Sequence, residues 1–168
     1  MNDRSVSIRP AIPADLPDIQ GLILALAEYE RLSHLCVATS EQLADALFGP
    51  RPAAEVQIAR IDGDSGPAVG FALFCHTFST FLGRRTLWLE DLYVRPEHRG
   101  RGVGRALLQR LASIARERGC GRFEWAVLDW NAPSIRFYED LGARLMDDWT
   151  ICRVTGDALD RLAGTPDA

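Results

Sequence analysis

The sequence predicts an α/β (α+β) protein: a mixed, mostly antiparallel central sheet of about six to seven strands with helices on its flanks. Three observations predict it. In the first half, two strand-like segments flank a dense turn cluster, which reads as an antiparallel hairpin. Two longer segments, one early and one late, instead carry apolar residues at spacings of three and four, the helical period. From Thr86 onward, strand-like and helix-like segments alternate, a pattern that lays helices over a sheet.

Val6-Ser7-Ile8-Arg9 alternates and meets Pro10, a short first strand. From Pro13, the residues Leu16, Ile19, Leu22, Ile23, Leu26 and Tyr29 recur at three and four, giving an amphipathic helix to about Leu32. Asp15 and Asp18 lie in its first turn, where the helix dipole favours anions. A shorter helix runs from Ser40 to Phe48 with Ser40 as N-cap, and Gly49-Pro50-Arg51-Pro52 ends it. Val56 to Ile61 and Val69 to Thr77 flank Asp62-Gly63-Asp64-Ser65-Gly66 and form the hairpin.

Phe78 to Arg85 reads as a loop and Thr86 to Val94 as the next strand. Its apolar residues Leu87, Leu89, Leu92 and Val94 keep a period of two except at Glu90-Asp91, where the phase slips, as at a β-bulge. A helix from about Gly104 to Arg118 carries Ala106, Leu107, Leu108, Leu111, Ile114 and Ala115 as its stripe, with Gly119 at its C-cap. Phe123 to Leu128 reads as a buried strand. Asn131 or Ala132 then opens a short helix with Pro133 in its first turn, closed after Leu141 by Gly142. A last strand pair is expected over Ala143 to Val154, then a terminal helix to Leu162 and a frayed tail over about 164–168.

The 168 residues predict one domain, 1–168. With 47% apolar residues the chain can build a core without staples. A net charge of −4 argues against a nucleic-acid footprint. No apolar run approaches the roughly 20 residues that span a bilayer. Met1-Asn2-Asp3-Arg4-Ser5 does not lead into a signal-peptide core. The expectation is a cytoplasmic protein without nucleic-acid or membrane partners. Cys36, Cys75, Cys120 and Cys152 lie far apart, with no C-x-x-C pair and no nearby His to complete a zinc set. They read as small buried hydrophobes, and no metal is expected. His34, His76 and His98 are scattered, and His98, although beside the glycine turn, reads as a surface residue.

The strongest chemical signal is Arg99-Gly100-Arg101-Gly102-Val103-Gly104, set between a strand and a helix. Glycines there let the backbone take positive φ and approach a ligand closely. The N–H groups at the helix start then converge on an anion, aided by the macrodipole. Arg99, Arg101 and Arg105 add charge-assisted donors suited to phosphate oxygens. The spacing fits neither the dinucleotide G-x-G-x-x-G nor the P-loop G-x-x-x-x-G-K-[ST]. The residues alone therefore predict an anion pocket and leave its ligand open.

Arg99-x-x-Gly102-x-Gly104 resembles the pyrophosphate-binding motif of the GNAT acetyltransferase superfamily. The preceding Leu92-Tyr93-Val94-Arg95-Pro96 resembles that family's lead-in strand and turn. Asn131-Ala132-Pro133-Ser134-Ile135-Arg136-Phe137-Tyr138 with Leu141-Gly142-Ala143 resembles its N-x-x-[SA]-x-x-[FL]-Y segment and the turn after it. The order holds over about Ile8 to Trp149. The resemblance implies an acetyl-CoA-dependent N-acetyltransferase that works by direct attack in a ternary complex, with no acyl-enzyme. It places the acyl-CoA against Leu92, Tyr93 and Val94, against the run Arg99 to Arg105 (Gly100, Arg101, Gly102, Val103 and Gly104 between them), and against Asn131, Ser134 and Tyr138. It further implies that the strand around Leu92 and Val94 splays from a parallel neighbour, so that pantetheine pairs with its backbone. One such N–H would polarise the thioester carbonyl, an oxyanion-hole role.

The resemblance assigns Tyr138, at the exposed end of a short helix, as general acid. A phenol with an ordinary pKa of about 10 is protonated at neutral pH and can donate to the departing sulfur. It assigns Glu90 as the group that accepts the amine proton, through water. Asp91 points to the other face of a regular strand, so only one of the pair reaches a given pocket unless a bulge turns both inward.

Within the superfamily, four segments resemble the spermidine/spermine (diamine) and thialysine acetyltransferase group: Ala27-Glu28-Tyr29-Glu30, the Phe78 to Gly83 loop, Trp88-Leu89-Glu90-Asp91-Leu92, and Asp129-Trp130-Asn131-Ala132-Pro133-Ser134. This implies a small polyamine, diamine or lysine-like acceptor, drawn in by Glu28, Glu30, Glu90 and Asp91, with Phe81 and Trp130 lining the pocket. It also implies a homodimer. Leu32 to Thr39 is not rich in acids, and Phe81 stands where relatives carry a larger indole, so the acceptor stays open. Two other readings remain. A protein or peptide N-acetyltransferase needs an open groove, against which the Phe78 to Arg85 loop argues. A non-catalytic acyl-CoA sensor has no need of both Glu90 and Tyr138.

Overall fold

Strand β1 (Val6–Pro10), β2 (Glu55–Ile61), β3 (Ala68–Ser79), β4 (Arg84–Val94) and β5 (Arg122–Trp125) form one sheet in the order β1-β2-β3-β4-β5. β1 to β4 pair antiparallel and β4 pairs β5 in parallel, the mixed arrangement expected. The computed structural model describes residues 6–164. Met1–Ser5 and all of the expected frayed tail beyond Gly164 lie outside the described residues. The chain divides into two units, one ending at Ala126 and one beginning at Val127.

The first unit holds the sheet with α1 (Leu16–Tyr29), α2 (Ser40–Phe48) and α3 (Val103–Glu117). The three-and-four spacing of α1 puts Ile19, Leu22 and Leu26 on one face. They bury with Leu47 of α2 against Val56, Ile58, Ala68, Phe71 and Tyr93 of the sheet. α3 packs across all five strands, with Val103, Leu107, Leu108, Leu111, Ile114 and Ala115 buried. Gly119 follows it at φ +66°, the left-handed turn that ends a helix cheaply in glycine.

An ion network fastens β1, β2 and the entry to α1. Asp15, only 2% exposed, accepts hydrogen bonds from Arg9 Nη1 at 2.7 Å, Arg60 Nη2 at 2.7 Å and the Ile12 N–H at 2.8 Å. The same Arg60 nitrogen donates to Asp18 at 2.5 Å. Arg9 foremost, with the Ile12 N–H and Arg60, holds the Asp15 carboxyl far below the usual carboxylate range.

Several expectations are corrected. Among the described residues the sheet has five strands, because residues 143–154 form none. They alternate in places but pair with no strand; a turn at Asp147–Asp148, with the Trp149 N–H donating to the Met146 carbonyl at 3.1 Å, interrupts them instead. Phe123 to Leu128 is strand only as far as Trp125, where pairing with β4 stops. The Phe78 to Arg85 loop shrinks to a tight hairpin turn at residues 80–83. Gly83 adopts φ +61° there, and the Leu82 N–H donates to Ser79 Oγ at 3.3 Å. α1 stops at Tyr29 rather than Leu32, after a 3₁₀ turn at Pro13–Asp15. Thr39 rather than Ser40 caps α2: its Oγ1 accepts from the Gln42 N–H while Gln42 Oε1 accepts from the Thr39 N–H, a reciprocal capping box. All four cysteines are free thiols, but none is fully buried, and Cys152 is exposed.

The second unit holds α4 (Ala132–Glu139) and α5 (Asp157–Ala163). Asn131 caps α4, with its Oδ1 accepting the Ser134 N–H at 3.3 Å. Gly142 closes the turn after it at φ +92°.

Candidate active site

The slip at Glu90-Asp91 is a bulge. Across the β3–β4 ladder Phe74 pairs with Leu89 and Leu73 with Asp91, so Glu90 is the extra residue. A regular strand would send the two carboxylates to opposite faces. Here both line one cavity of about 310 Å³. Glu30, at the C-cap of α1, adds a third carboxylate. Ile23 and Leu26 of α1, with Leu32, Leu35 and Cys36 from the segment after it, make the rest of the wall mostly apolar.

The three acids have different surroundings. Among the described residues no arginine or histidine lines the cavity. Burial pushes the Asp91 carboxyl up to about 6, reinforced by the charges of Glu90 and then Glu30. Burial also raises Glu30. Glu90 is more exposed, and its Oε2 accepts the indole N–H of Trp88 at 2.8 Å. The nearby Cys75 thiol is raised by burial and by the charge of Glu90.

The other half of β4 is open. β5 follows it through Leu89↔Trp125 and ends, so among the described residues no strand pairs with Glu90 to Val94 on the side away from β3. Leu92 and Val94 are half-buried at this open edge. Tyr93 differs: its ring belongs to the core, which leaves only its backbone for a ligand.

The turn after β4 leads into α3 through a 3₁₀ turn at Pro96–His98. Gly100 has φ +73° and Gly102, the N-cap of α3, has φ +81°. A Cβ at either would meet nothing within 4 Å, so it is the backbone angle, not crowding, that calls for glycine. The exposed turn therefore presents the free N–H groups of a 15-residue helix. Arg101 and Arg105 are exposed beside it, Gly104 is half-buried and the Val103 side chain is buried. Arg99 is tied down: its guanidinium lies over the Tyr29 ring at 4.7 Å and the Tyr93 ring at 5.4 Å, and its Nε donates to the Val94 carbonyl at 2.9 Å. His98 is half-buried rather than on the surface.

Within the second unit, Asn131 is buried, Ser134 half-buried and Trp130 52% exposed. Tyr138 is not at an exposed helix end as expected. It is buried, with its ring 5.4 Å from that of Phe137.

The first unit thus brings Glu30, Glu90 and Asp91 together. It leaves out Glu28, which is exposed on α1, and Phe81, which is 91% exposed at the tip of the β3–β4 turn. Sequence reasoning missed Leu32, Leu35 and Cys36, which sit in and beside the short 3₁₀ turn Ser33–Leu35, with no period to mark them. It also missed Trp88, although Trp88 lies two residues before Glu90 on one strand face, a signal in plain view. Among the described residues no group of His, Cys, Asp or Glu is arranged to hold a metal ion, and no helix is long and apolar enough to cross a membrane.

Comparison with known proteins bears on this geometry. The family model of the Acetyltransferase (GNAT) family matches residues 23–143. The thialysine N-epsilon-acetyltransferase of Sus scrofa is 38% identical over 95% of this chain and 98% of its own length. The L-ornithine N5-acetyltransferase of Arabidopsis thaliana is 33% identical over 92% of this chain and 86% of its own. Among solved structures, an integron cassette protein from the mobile metagenome of V. cholerae superposes with a TM-score of 0.77 at 27% identity, covering 95% of this chain and 98% of that one.

Proposed function

The chain belongs to the GNAT acetyltransferase family and is an N-acetyltransferase, and from that premise we propose that it transfers an acetyl group from acetyl-CoA to a primary amine of a small polyamine, diamine or lysine-like molecule. The observation that carries this reading is the cavity where Glu30, Glu90 and Asp91 converge beside the open edge of β4. Carboxylates without a basic partner attract an ammonium group. A volume of about 310 Å³ is room enough for a small acceptor. The thialysine and L-ornithine acetyltransferases it resembles act, by their names, on amines of this kind.

The reaction proceeds by direct attack. The acceptor arrives as an ammonium with a pKa near 10, and a carboxylate of the Glu90–Asp91 pair takes its proton, a role that the resemblance gives to Glu90. The freed lone pair attacks the thioester carbon, the N–C bond forms and the C–S bond breaks, and the nitrogen sheds its second proton, which restores the phenol that protonates the leaving thiolate. An N–H of the open β4 edge, at Leu92 or Val94, would polarise the carbonyl. Tyr138 gives its phenolic proton to the departing thiolate. The pyrophosphate rests on the N–H groups at Gly102 to Gly104, with Arg101 and Arg105 beside them. Asn131 and Ser134 complete the acyl-CoA contacts in this reading, and Trp130 those to the acceptor. The same reading takes the protein as one cytoplasmic domain that forms homodimers.

The test is an acceptor panel of spermidine, putrescine, lysine and thialysine with acetyl-CoA, read by thiol release. Turnover of at least one is expected, and failure of all four while acetyl-CoA still binds would overturn the small-amine reading. Tyr138→Phe is expected to lower kcat by roughly tenfold to a thousandfold with acetyl-CoA affinity little changed. Full activity in that variant removes Tyr138 from the mechanism.

A further inference from the structure

The bulge does more than bring two carboxylates to one cavity, because it leaves them in unequal states. Glu90 is exposed, and one of its oxygens is already occupied by the Trp88 indole N–H at 2.8 Å. That bond fixes the direction in which Glu90 points along β4. Asp91, one residue on, accepts no hydrogen bond from any described group and lies deeper, between Glu90 on its own strand and Glu30 at the end of α1. The cavity's other walls are apolar apart from the Cys36 thiol.

We propose that Asp91, rather than Glu90, is the base that takes the proton from the acceptor ammonium, while Glu90, held by Trp88, serves as a fixed anion that orients the cation. This assignment rests on the amine-acetylation reading above. The proton passes from the ammonium nitrogen to a free Asp91 oxygen, and the nitrogen keeps the electron pair that attacks the thioester. The chemistry favours this division. An acceptor of protons works best when its own pKa lies near the working pH and its lone pairs are free. Asp91 meets both conditions: burial and the neighbouring charges of Glu90 and Glu30 bring it to about 6, and no donor occupies it. A carboxylate already tethered by an N–H is better suited to hold a cation in place than to move toward its proton.

The sign of the pH dependence follows. Below about pH 6 Asp91 carries a proton and cannot accept another, so kcat/KM for the amine should fall as pH drops through that value. The charged and titratable groups facing Asp91 are Glu90 from β4, Glu30 from α1 and the Cys36 thiol. Replacing either glutamate removes a like charge and should draw the acid limb to lower pH.

The experiment is the pH profile of kcat/KM with spermidine and thialysine as acceptors, at saturating acetyl-CoA, for the wild type, Asp91→Asn, Glu90→Gln and Glu30→Gln. Asp91→Asn is expected to lose about a hundredfold or more in kcat and to lack the limb near pH 6. Glu90→Gln and Glu30→Gln are expected to keep the limb at lower pH, and Glu90→Gln to raise the KM of the amine. A limb that survives in Asp91→Asn and disappears in Glu90→Gln overturns the assignment alone. A wild type that turns over neither amine while binding acetyl-CoA overturns both this assignment and the acceptor reading beneath it.

Discussion

Two groups of acids in the first unit make opposite use of the same side chain. Asp15 and Asp18, at the start of α1, meet the guanidinium groups of Arg9 and Arg60. Glu30, Glu90 and Asp91, at the other end of the same helix and on the bulge of β4, meet no cation among the described residues. In the first group the carboxyl of Asp15 is driven far below its ordinary range, and in the second that of Asp91 is driven up to about 6. Burial opposes the charged form in both places, so the difference lies in the partners. A buried acid with its counter-ions built in belongs to the frame. One that lacks them is, in the function proposed above, open to a cation from outside.

The largest expected effect breaks the first group. Asp15→Ala leaves Arg9 and Arg60 without their buried acceptor and removes the carboxylate that the Ile12 N–H donates to. Loss of one partner from a buried ion pair costs about 3–5 kcal/mol. Denaturant unfolding at pH 7 measures it, and a loss under about 1 kcal/mol would mean that the network is not part of the frame. Because the folded carboxyl lies below its unfolded value near 3.9, its contribution is complete above that pH and fades as the pH falls through it. The stability curves of wild type and Asp15→Ala should therefore draw together steadily as the pH falls below about 5, and meet only at pH values below the folded carboxyl's own range.

The second group should answer with the opposite sign. The Asp91 carboxyl is raised, so above pH 6 its charge weakens the folded state, whereas below about pH 4 it is protonated folded or unfolded and costs nothing. Asp91→Asn should then stabilise the protein at pH 8, by on the order of 1 kcal/mol, and leave it unchanged at pH 3. A destabilised Asp91→Asn at pH 8 would show that Asp91 has an internal partner after all. The pairing of this result with the loss of catalysis argued above is the point: one substitution gains stability and loses function, as expected where an unpaired group is kept for its chemistry.

How much of this contrast was legible in the sequence follows from the range of the interactions. The bulge could be read, since an inserted residue shifts the apolar phase of Leu87, Leu89, Leu92 and Val94 at a definite place. The stripes of α1 and α3 could be read from their period, and the turn before α3 from glycines that must adopt positive φ. Asp15 read as a helix-start acid, because nothing local reveals that Arg60, 45 residues away, lies against it. Leu32, Leu35 and Cys36 carry no period, so their place in the cavity wall follows only from the path of the chain after α1. The strands expected over Ala143 to Val154 failed for the same reason: an alternating segment becomes a strand only where a neighbour supplies its ladder.

A third acid separates pairing from burial, and here the smallest effect is expected. Glu55, at the start of β2, receives both terminal nitrogens of Arg118, Nη2 at 2.8 Å and Nη1 closer still. Its carboxyl is lowered by that arginine, as Asp15 is by Arg9. Yet the side chains of Glu55 and Arg118 are 45% and 37% exposed, so water screens the pair and little desolvation hangs on it. Arg118 also lies 5.7 Å over the Phe74 ring, a contact it keeps when the acid is gone. Glu55→Gln should cost no more than about 1 kcal/mol at low salt, and that difference should shrink in about 0.5 M NaCl, where the screening length falls to about 4 Å and water and ions reach the exposed pair. The Asp15→Ala loss should survive the same salt. If instead both losses faded together, burial would not be what distinguishes the frame's acids from those on the surface.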